Sequence, residues 1–468
     1  MIVVRAHAGQ RVGVLGMGRS GLAAAAALEA GGATPVCWDD GEKGRAAAEA
    51  TGFTVEDLTT AKAQAGLAAL IVSPGIAHLY PSPHPAVRAA WQAGVPLDND
   101  IGLFFQGLWD WTPGADDDEG EPSVVAITGS NGKSTTSALI HHILREAGRP
   151  AQLGGNIGTG VLALEEPRAR EVIVLELSSY QTELARTLAP DVAVFMNLSD
   201  DHLDRHGGRG GYFAAKARLF QNTPKSVVGV DEDEGAMLAN ALRGRADALV
   251  PISAERALKN EAWSVSLKKS FLVEMREGRQ VASVDLREAP ALPGRHNGQN
   301  ACAAFAACRL LGLGPRQIEP GLRSFPGLAH RLQTVAEVGG VRFVNDSKAT
   351  NADAAEKALL VFDNIRWIAG GRAKEGGIAP LLPLLERVAK TYLIGEAAPA
   401  FARALGDAPH EVSGTLEAAV AAAARDAQPG DTVLLAPACA SFDQFPDFEA
   451  RGEAFAAAVE RLKAERAA

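Results

Sequence analysis

The sequence predicts an α/β protein of about three domains, the number expected for 468 residues at roughly 150 residues per domain. Short apolar runs alternate along the chain with Ala- and Leu-rich stretches of helical character. Such runs are typical of strands that are buried on both faces of a parallel sheet and covered by helices. The runs are Val12–Leu15, Val124–Thr128, Val172–Leu177, Val192–Asn197, Val341–Asn345, Ile365–Ala369 and Thr432–Leu435.

Composition excludes several classes of protein. Apolar residues make up 47% of the chain and charged residues 22%, which excludes a mainly disordered chain. The net charge of -10, without a basic tail, argues against nucleic-acid and membrane-surface partners. No apolar run approaches the ~20 residues of a membrane span, and no secretory signal or CxxC pair is present. We therefore expect a cytoplasmic monomer with reduced thiols.

Two seams divide the chain. The stretch from Thr112 to Pro122 is rich in acidic residues, Gly and Pro, cannot bury a face and is typical of a linker. A weaker seam lies at 324–328, where a Pro-Gly pair ends a helical stretch. The predicted division is a first domain over 1–111, an acidic linker over 112–122, a central domain over 123–326 and a last domain over 327–468.

A glycine-rich turn follows the first predicted strand. Gly16-Met-Gly-Arg-Ser-Gly21 matches GxGxxG between a strand and an Ala-rich helix. Glycine permits the tight turn, and the N–H groups and dipole of a helix N-terminus favour a phosphate. Asp39 and Asp40 follow the second strand, where a carboxylate contacts the ribose in dinucleotide-binding folds. The motif predicts a bound nucleotide-like anion, with a purely structural turn as the alternative.

A second turn gives a stronger signal. Strand Val124–Thr128 leads into Gly129-Ser-Asn-Gly-Lys-Ser-Thr135 and a helix. The strict GxxxxGK[ST] pattern fails because Ile127 stands where its first glycine belongs. Even so, successive N–H groups form a nest for the β- and γ-phosphates, Lys133 adds positive charge, and Ser134 offers a hydroxyl to Mg²⁺. An exposed turn of this composition contributes nothing to a core, so we predict an ATP site.

Acidic and histidine side chains follow two later strands. Glu176 interrupts an apolar strand, and burying a carboxylate is costly unless it is paired or binds a cation. The segment 197–206 carries three Asp and two His, and a metal or phosphate site explains it about as well as a solvated acidic loop. Its spacing matches no zinc motif. Lys216, between small residues on a helix, is an ordinary surface lysine when taken alone.

Five motifs together resemble the Mur ligases, ATP-dependent amide-forming enzymes of peptidoglycan precursor synthesis. They are Gly129-Ser-Asn-Gly-Lys-Ser-Thr135, Gly154-Gly-Asn-Ile-Gly158, Glu176-Leu-Ser-Ser179, Asp201-His-Leu-Asp204 and Asn345-Asp-Ser-Lys-Ala-Thr-Asn351. The resemblance runs from Val12 to Phe448. Two segments, Asp346-Ser-Lys-Ala-Thr350 and Pro437-Ala-Cys-Ala-Ser-Phe-Asp-Gln-Phe445, resemble the branch that adds D-glutamate to UDP-N-acetylmuramoyl-L-alanine.

The resemblance implies three domains with separate ligands. A Rossmann-like N-terminal domain would bind the UDP-sugar, a central P-loop ATPase-like domain ATP, and a C-terminal Rossmann-like domain glutamate. The first glycine turn would then hold UDP rather than a dinucleotide. The residues implied for the UDP-sugar are Gly18, Arg19, Ser20, Asp39 and Asn156. Asp39-Asp40-Gly41 differs from the Asp-Thr-Arg of some members, so no role carries over to Asp40 or Gly41.

The resemblance also implies the groups that bind and activate the other substrates. Those for ATP are Gly129, Asn131, Gly132, Lys133, Ser134, Thr135, Asn297, Asn300, Arg331 and Asp346, with a helix cap as the alternative for Asn297. Those for glutamate are Lys348, Thr350, Lys374, Ser441 and Phe448. Two Mg²⁺ ions are implied, with the ligands Ser134, Glu176, His202 and a carbamylated Lys216. The residues implied to be catalytic are Lys133, His202, Lys216 and Lys348.

Two other classes of function compete with the ligase. An NAD-linked oxidoreductase would use the first glycine turn but leaves the second turn and the Asp/His segment unexplained. A non-catalytic nucleotide switch would use the second turn without any carboxylate-dependent turnover. Within the ligase hypothesis, D- and L-glutamate offer the same chemical groups, so residue types do not decide between them.

Overall fold

The structure is a computed structural model that describes residues 1–112, 120–373 and 376–467. The described residues form two compact units. The first comprises Met1–Ala289 and Asn297–Phe325, and the second comprises Pro290–His296 and Pro326–Ala468. Most of the predicted acidic linker, residues 113–119, and the predicted glutamate residue Lys374 lie outside the described residues.

The first unit begins with a parallel sheet of five strands. Its strands are β1 (Arg11–Leu15), β2 (Thr34–Trp38), β3 (Thr54–Val55), β4 (Leu67–Val72) and β5 (Leu97–Asp98). The helices are α1 (Arg19–Ala30), α2 (Glu42–Ala50), α3 (Ala61–Gln64), α4 (Pro85–Gln92) and α5 (Asp100–Trp109). The strand order is β3-β2-β1-β4-β5, so the chain reverses its direction of winding between β1 and β4. This reversal opens a crevice at the carboxyl ends of the strands.

A nine-stranded sheet follows in the same unit. Its strands are β6 (Ser123–Thr128), β7 (Ala151–Gly155), β8 (Val172–Glu176), β9 (Val192–Phe195), β10 (Lys225–Gly229), β11 (Ala248–Ser253), β12 (Trp263–Lys268), β13 (Phe271–Arg276) and β14 (Arg279–Asp285). The order is β14-β13-β12-β11-β10-β9-β6-β8-β7, which places β6 between β8 and β9. Its helices are α6 (Lys133–Glu146), α7 (Ser179–Leu184), α8 (Leu203–His206), α9 (Arg209–Ala217), α10 (Asp233–Leu242), α11 (Gly294–Leu310) and α12 (Pro315–Ser324). The first three residues of α11 are counted with the second unit.

The second unit contains a six-stranded sheet and a short two-stranded one. The strands are β15 (Gln333–Val338), β16 (Val341–Asn345), β17 (Ile365–Gly370), β18 (Arg372–Ala373), β19 (Val388–Ile394), β20 (His410–Gly414), β21 (Thr432–Leu435) and β22 (Cys439–Ala440). The larger sheet has the order β15-β16-β21-β17-β19-β20, and β18 pairs with β22. The helices are α13 (Ala352–Leu359), α14 (Ala398–Leu405), α15 (Leu416–Asp426) and α16 (Phe448–Ala467).

The predicted fold class is confirmed, and two predicted strands, Val341–Asn345 and Thr432–Leu435, have the observed bounds. The antiparallel strands β12–β14 and β15 were not predicted. The strand β14 shows why. Its exposed and half-buried residues outnumber its buried ones, so no continuous apolar run marks this strand in the sequence. Within the described residues, no helix combines the length and apolar character needed to cross a membrane. All four cysteines are buried and unpaired.

The first glycine turn provides a test of how closely α1 packs on β1. A Cβ added to Gly21 would lie 1.8 Å from the carbonyl oxygen of Gly16, whereas one added to Gly18 would meet nothing within 4 Å. We expect Gly21→Ala to lower the free energy of unfolding by about 1–3 kcal/mol, because the backbone must move apart. Thermal unfolding followed by circular dichroism checks this, with Gly18→Ala as the control. Equal melting temperatures for the two variants would contradict the packing.

Candidate active site

The turn after β6 adopts a conformation that requires glycine at two positions. Gly129 has a φ of +146° and Gly132 a φ of +81°. A Cβ at Gly132 would lie 2.2 Å from Asn300 Oδ1, and one at Gly129 would lie 2.8 Å from Met196 Cβ. The turn leads directly into α6, which carries Lys133, and the first N–H groups of a helix have no partner within the helix. The turn is therefore shaped for an anion.

Polar side chains from the loop after β9 fix this turn. Asn131 N donates to Asn197 Oδ1 at 2.9 Å, and Asn131 Nδ2 donates to Ser199 Oγ at 3.0 Å. Ser130 Oγ donates to the carbonyl oxygen of Ser199 at 3.0 Å. These bonds fix the conformation of the turn, and they thereby preorganise the N-terminus of α6, which follows it, for phosphate oxygens.

Helix α11 brings two predicted ATP residues to the same turn. Thr136 Oγ1 donates to Asn300 Oδ1 at 3.4 Å, and Asn300 Nδ2 donates to Asn297 Oδ1 at 3.0 Å. Both asparagines are buried. Ser134 is buried in the first turn of α6 and Thr135 follows it. The predicted ATP residues of the first unit therefore lie around one glycine turn.

Two lysines converge on one carbonyl oxygen of this turn. Lys216 Nζ donates to the oxygen of Gly129 at 2.8 Å. Lys133 Nζ donates to the same oxygen at 2.9 Å and to that of Ser130 at 2.8 Å. Lys216 is only 1% exposed. The description of Lys216 as an ordinary surface lysine was therefore wrong, because a helix pattern does not show that α9 packs against the turn.

The surroundings of Lys216 disfavour its protonated form. Burial holds its pKa well below the ordinary lysine value, and the positive charge of Lys133 lowers it further. The carboxylates of Asp201 and Glu176 raise the pKa of Lys216, but they do not bring it back to the ordinary lysine value. A lysine in this state offers a neutral, nucleophilic amine near neutral pH far more readily than an exposed one.

Glu176 ends β8, beside β6, and only one of its two carboxylate oxygens has a hydrogen-bond partner among the described residues. Its Oε1 accepts from Asn156 Nδ2 at 2.8 Å, and the side chain is 2% exposed. Its Oε2 is buried and has no hydrogen-bond partner among the described residues. Within that part of the chain, no group of three or more His, Cys, Asp or Glu side chains is arranged to hold a metal ion. Any ion here would need ligands beyond carboxylates and imidazoles, such as phosphate oxygens.

The segment 197–206 does not form one cluster of ligands. His202 is half exposed, with its Nε2 3.4 Å from Asp201 Oδ2 and its ring 5.1 Å from that of Tyr180. His206 is buried and lies 2.9 Å from Ser179 Oγ. Asp200 pairs with Arg209. Asp201 and His202 thus lie side by side in this segment, and both side chains are about half exposed.

The first glycine turn is held by Asp39. Its Oδ2 accepts from Met17 N at 2.7 Å and its Oδ1 from Gly41 N at 2.8 Å. Gly18 and Arg19 are exposed at the start of α1, and Ser20 is half-buried. Ser20 hydrogen-bonds to the buried Asp100, whose pKa is raised to about 6 by burial. The predicted UDP residues Gly18, Arg19, Ser20 and Asp39 therefore lie around one helix N-terminus.

In the second unit, Asp346 follows β16 and lies beside Arg331. Its carboxyl group accepts from Leu332 N at 3.2 Å. Burial raises the pKa of Asp346 to about 7, and the hydrogen bond from Leu332 and the charge of Arg331 only partly oppose this. Near neutral pH the Asp346 carboxyl group therefore exchanges readily between an ionised form, which only accepts hydrogen bonds, and a protonated form, which can also donate one.

Among the predicted glutamate residues of the second unit, Lys348 and Ser441 lie on loops that a buried arginine joins, and Phe448 begins α16. Lys348 Nζ lies 3.7 Å from the centre of the Phe448 ring, and Thr350 N donates to the Lys348 oxygen at 2.8 Å. Arg451 Nε donates to Ser347 Oγ at 2.9 Å, and its Nη2 to the oxygen of Cys439 at 3.1 Å. It thereby ties the loop of Lys348 to the loop that leads to Ser441, which is 2% exposed.

Family models match most of the chain. The Mur ligase middle domain matches residues 127–308, and the Mur ligase, glutamate ligase domain matches residues 330–439. The chain belongs to the Mur ligase family. A UDP-N-acetylmuramoylalanine--D-glutamate ligase of Cereibacter sphaeroides is 61% identical over 99% of this Mur ligase and 100% of its own length. Proteins of the same name from Dinoroseobacter shibae and Ruegeria pomeroyi are each 59% identical over 98% of it and 99% of their own length.

Solved structures share the fold of this Mur ligase. UDP-N-acetylmuramate-alanine ligase from Thermotoga maritima aligns with a TM-score of 0.58 at 17% identity, covering 97% of this chain and 99% of that one. FolC of Escherichia coli, solved with ADP, aligns with a TM-score of 0.55 at 21% identity, covering 74% and 89%. At these identities the likeness concerns the fold alone, which is the predicted three-domain α/β class.

Family membership settles the class of reaction. This Mur ligase is an ATP-dependent amide-forming enzyme, as the motifs predicted. The oxidoreductase and the non-catalytic switch are thereby excluded. The domain boundaries and the roles of individual site residues stay predictions.

Sequence reasoning missed two residues that shape the site. Tyr212 is buried, with its hydroxyl oxygen 3.1 Å from Ser130 Oγ and its ring centre 4.4 Å from Lys216 Nζ. It precedes Lys216 by one helical turn, and this i,i+4 spacing was the available signal. No sequence feature indicated Arg451, because nothing in a helix rich in charged residues shows which arginine is buried. In the structure Arg451 is only 1% exposed.

The raised pKa of Asp346 predicts a pH dependence of stability. Its value shifts from the ordinary 3.8 to about 7, so the folded state holds a proton that the unfolded chain releases. Stability should therefore fall by up to about 4 kcal/mol as pH rises from about 4 to about 7. Asp346→Asn carries no proton to lose, so its melting temperature should fall less across that range than that of the wild type.

Thermal unfolding across this pH range, with exposed Asp407→Asn as the matched control, checks the Asp346 prediction. Parallel pH profiles for the wild type and Asp346→Asn would show that Asp346 titrates normally.

Proposed function

We propose that this Mur ligase joins D-glutamate to UDP-N-acetylmuramoyl-L-alanine at the expense of ATP. The relatives at 58–61% identity that carry this activity in their name span nearly the whole chain, which supports the choice of substrates. We further propose that it works in the cytoplasm as a monomer. The observation that carries the proposal is the buried Lys216 beside the Lys133 of a phosphate-binding turn. A simple ATP-binding turn requires a lysine at the position of Lys133, but it does not require the buried Lys216.

The chemical problem is to join a carboxylate to an amine in water. A carboxylate is a poor electrophile, so we propose that its oxygen first attacks the γ-phosphorus of ATP, which releases ADP and forms an acyl phosphate. The glutamate amine then attacks the carbonyl carbon, and the C–O bond to phosphate breaks. Both steps bring anions together, so fixed positive charge should supply much of the catalysis. Lys133 and the N-terminus of α6 supply it at the phosphates.

The described residues fit the implied Mg²⁺. The buried Oε2 of Glu176 has no hydrogen-bond partner among them, as expected for a group that ligates a cation. Ser134 supplies a hydroxyl at the start of α6 and His202 an imidazole. Bound Mg²⁺ supplies positive charge that neutralises the phosphate oxygens.

Lys216 has the properties needed for carbamylation. Its neutral amine attacks the carbon of CO₂ and loses one proton, which leaves a carbamate with one negative charge. The lowered pKa favours the required neutral amine. Carbamylation also places a negative charge beside the positive Lys133, and the carbamate oxygens would suit Mg²⁺ as ligands.

The remaining predicted residues bind substrates. In the first unit, Asn156, on the loop that follows β7, contacts the UDP-sugar, and Asn297 and Asn300 contact ATP. In the second unit, Arg331 and Asp346 contact ATP, whereas Lys348, Thr350, Ser441 and Phe448 form the glutamate pocket. Lys348 supplies the cation that a substrate with two carboxylates requires. Lys374 is proposed for the same pocket from its position in the sequence.

Release of phosphate from ATP tests the proposed function. The reaction contains Mg²⁺, UDP-N-acetylmuramoyl-L-alanine and either D- or L-glutamate. We expect release with D-glutamate alone, and loss of at least about 100-fold in Lys133→Met because the phosphate charge is no longer offset. Release with L-glutamate alone would keep the mechanism and overturn the stereochemistry. No release with either, from protein that binds ATP, would overturn the substrate assignment.

A further inference from the structure

A series of polar side chains runs along one edge of the nine-stranded sheet. The strands β6, β9, β10 and β11 are parallel neighbours, so their carboxyl ends lie along the same edge. Asn197 follows β9, Asp231 follows β10 and Ser253 ends β11. Gln299 of α11 connects the first two of these side chains. We call Asn197, Gln299, Asp231 and Ser253 the polar chain.

The polar chain begins at a carboxylate. Asp231 Oδ1 accepts from Ser253 Oγ, and Asp231 Oδ2 accepts from the backbone N of Ala254 at 2.9 Å. Ser253 Oγ itself accepts from the backbone N of Arg256 at 2.9 Å, so its hydroxyl proton is directed to Asp231. A carboxylate has no proton to donate, so any further partner of Asp231 must be a donor.

This carboxylate determines which way the next two amides face. Gln299 Nε2 lies 3.5 Å from Asp231 Oδ2, and Gln299 Oε1 accepts from Asn197 Nδ2 at 2.8 Å. Asn197 Oδ1 then accepts from the backbone N of Asn131, in the glycine turn after β6, at 2.9 Å. Gln299 is only 8% exposed, so water has little access to replace a partner that is lost.

Both ends of the polar chain require the same orientation of its amides. Asp231 requires a donor, and the N–H of Asn131 requires an acceptor. In every other arrangement of the Gln299 and Asn197 amides, two donors or two acceptors face each other, which is costly in a buried place. The carbonyl oxygen of Asn197 also accepts from the backbone N of Ser130 at 3.0 Å. The residue that the polar chain orients therefore holds two consecutive N–H groups of the turn.

We propose that Gln299 is a positioning residue for ATP, which keeps the glycine turn in its phosphate-binding conformation by orienting Asn197. This inference rests on the ATP site of the proposed function. The Gln299 amide is engaged by Asn197 and Asp231, so its effect reaches the nucleotide only through the turn. Without Gln299, the Asn197 amide loses the partner that orients it, and the turn occupies its binding conformation for a smaller fraction of the time. The affinity for ATP falls in proportion to that fraction.

Replacement of Gln299 by methionine tests this, because methionine keeps the length of the side chain and lacks the amide. Isothermal titration calorimetry on the full chain with ATP and Mg²⁺, without the other substrates, should show affinity about threefold to tenfold lower in Gln299→Met, the loss expected for one hydrogen bond. In turnover the KM for ATP should rise by the same factor. The kcat at saturating ATP and the KM values for the other substrates should not change.

Gln64→Met is the matched control. Gln64 is also a buried glutamine, but its Nε2 donates to the carbonyl oxygens of Leu58 and Ala86, at 2.6 and 3.2 Å, beside the five-stranded sheet. Its loss should lower the melting temperature and leave the KM for ATP unchanged. The comparison therefore separates a loss of stability from a loss of positioning.

A second background tests the orienting role itself. Asn197→Asp keeps an oxygen for the N–H of Asn131 and has no wrong orientation, since both ends of a carboxylate accept. Whatever affinity Asn197→Asp has, adding Gln299→Met to it should weaken ATP binding no further, because there is no longer an amide to orient. If Gln299→Met does not fold, Gln299→Asn takes its place, because its amide is one methylene too short to reach both partners.

Three results would overturn the proposal: wild-type affinity for ATP in Gln299→Met, a lower kcat with an unchanged KM for ATP, or the same weakening by Gln299→Met in the Asn197→Asp background. Lys133→Met examines the proposed ATP site separately. It should bind ATP far more weakly than the wild type because the phosphate charge is no longer offset. Wild-type binding in Lys133→Met would contradict the proposed ATP site, and this inference with it.

Discussion

The carbonyl oxygen of Gly129 accepts a hydrogen bond from two lysines, Lys133 at 2.9 Å and Lys216 at 2.8 Å. Two ammonium groups on one acceptor repel each other, and the repulsion is strong because Lys216 is removed from water. The glycine turn, the buried end of α9 and the phosphate-binding start of α6 all depend on this arrangement. Burial lowers the pKa of Lys216 and the charge of Lys133 lowers it further, while Lys133 stays directed at the turn where phosphate would bind.

A second imbalance lies beside the first. Glu176 keeps one buried oxygen without a hydrogen-bond partner among the described residues, on the strand next to the glycine turn. A lysine buried beside the charge of a second lysine and a buried carboxylate oxygen without a hydrogen-bond partner are each costly for the protein alone. Both costs are relieved when polyphosphate, a cation and a carbamate are added. The site is therefore most stable electrostatically in the state that the reaction requires.

Sequence patterns predicted the features that depend on local rules. The glycine turns, the buried parallel strands and Glu176 at a strand end each follow from residue types at short spacing. Packing between distant segments could not be predicted: α9 buries Lys216, and Arg451 joins two loops that lie 92 residues apart in the chain (439 − 347). The commitment of Asp39 to two backbone N–H groups was also invisible, because it depends on how α2 approaches the first turn.

The carbamate on Lys216 is the central claim, and ¹³C NMR tests it most directly. The full chain is equilibrated with ¹³C-labelled bicarbonate, Mg²⁺ and ATP, and a protein-bound carbamate resonance is sought. We expect one such resonance in the wild type and none in Lys216→Arg, whose guanidinium stays protonated and does not react with CO₂. The absence of a resonance in a catalytically active wild type, or its persistence in Lys216→Arg, would contradict the account.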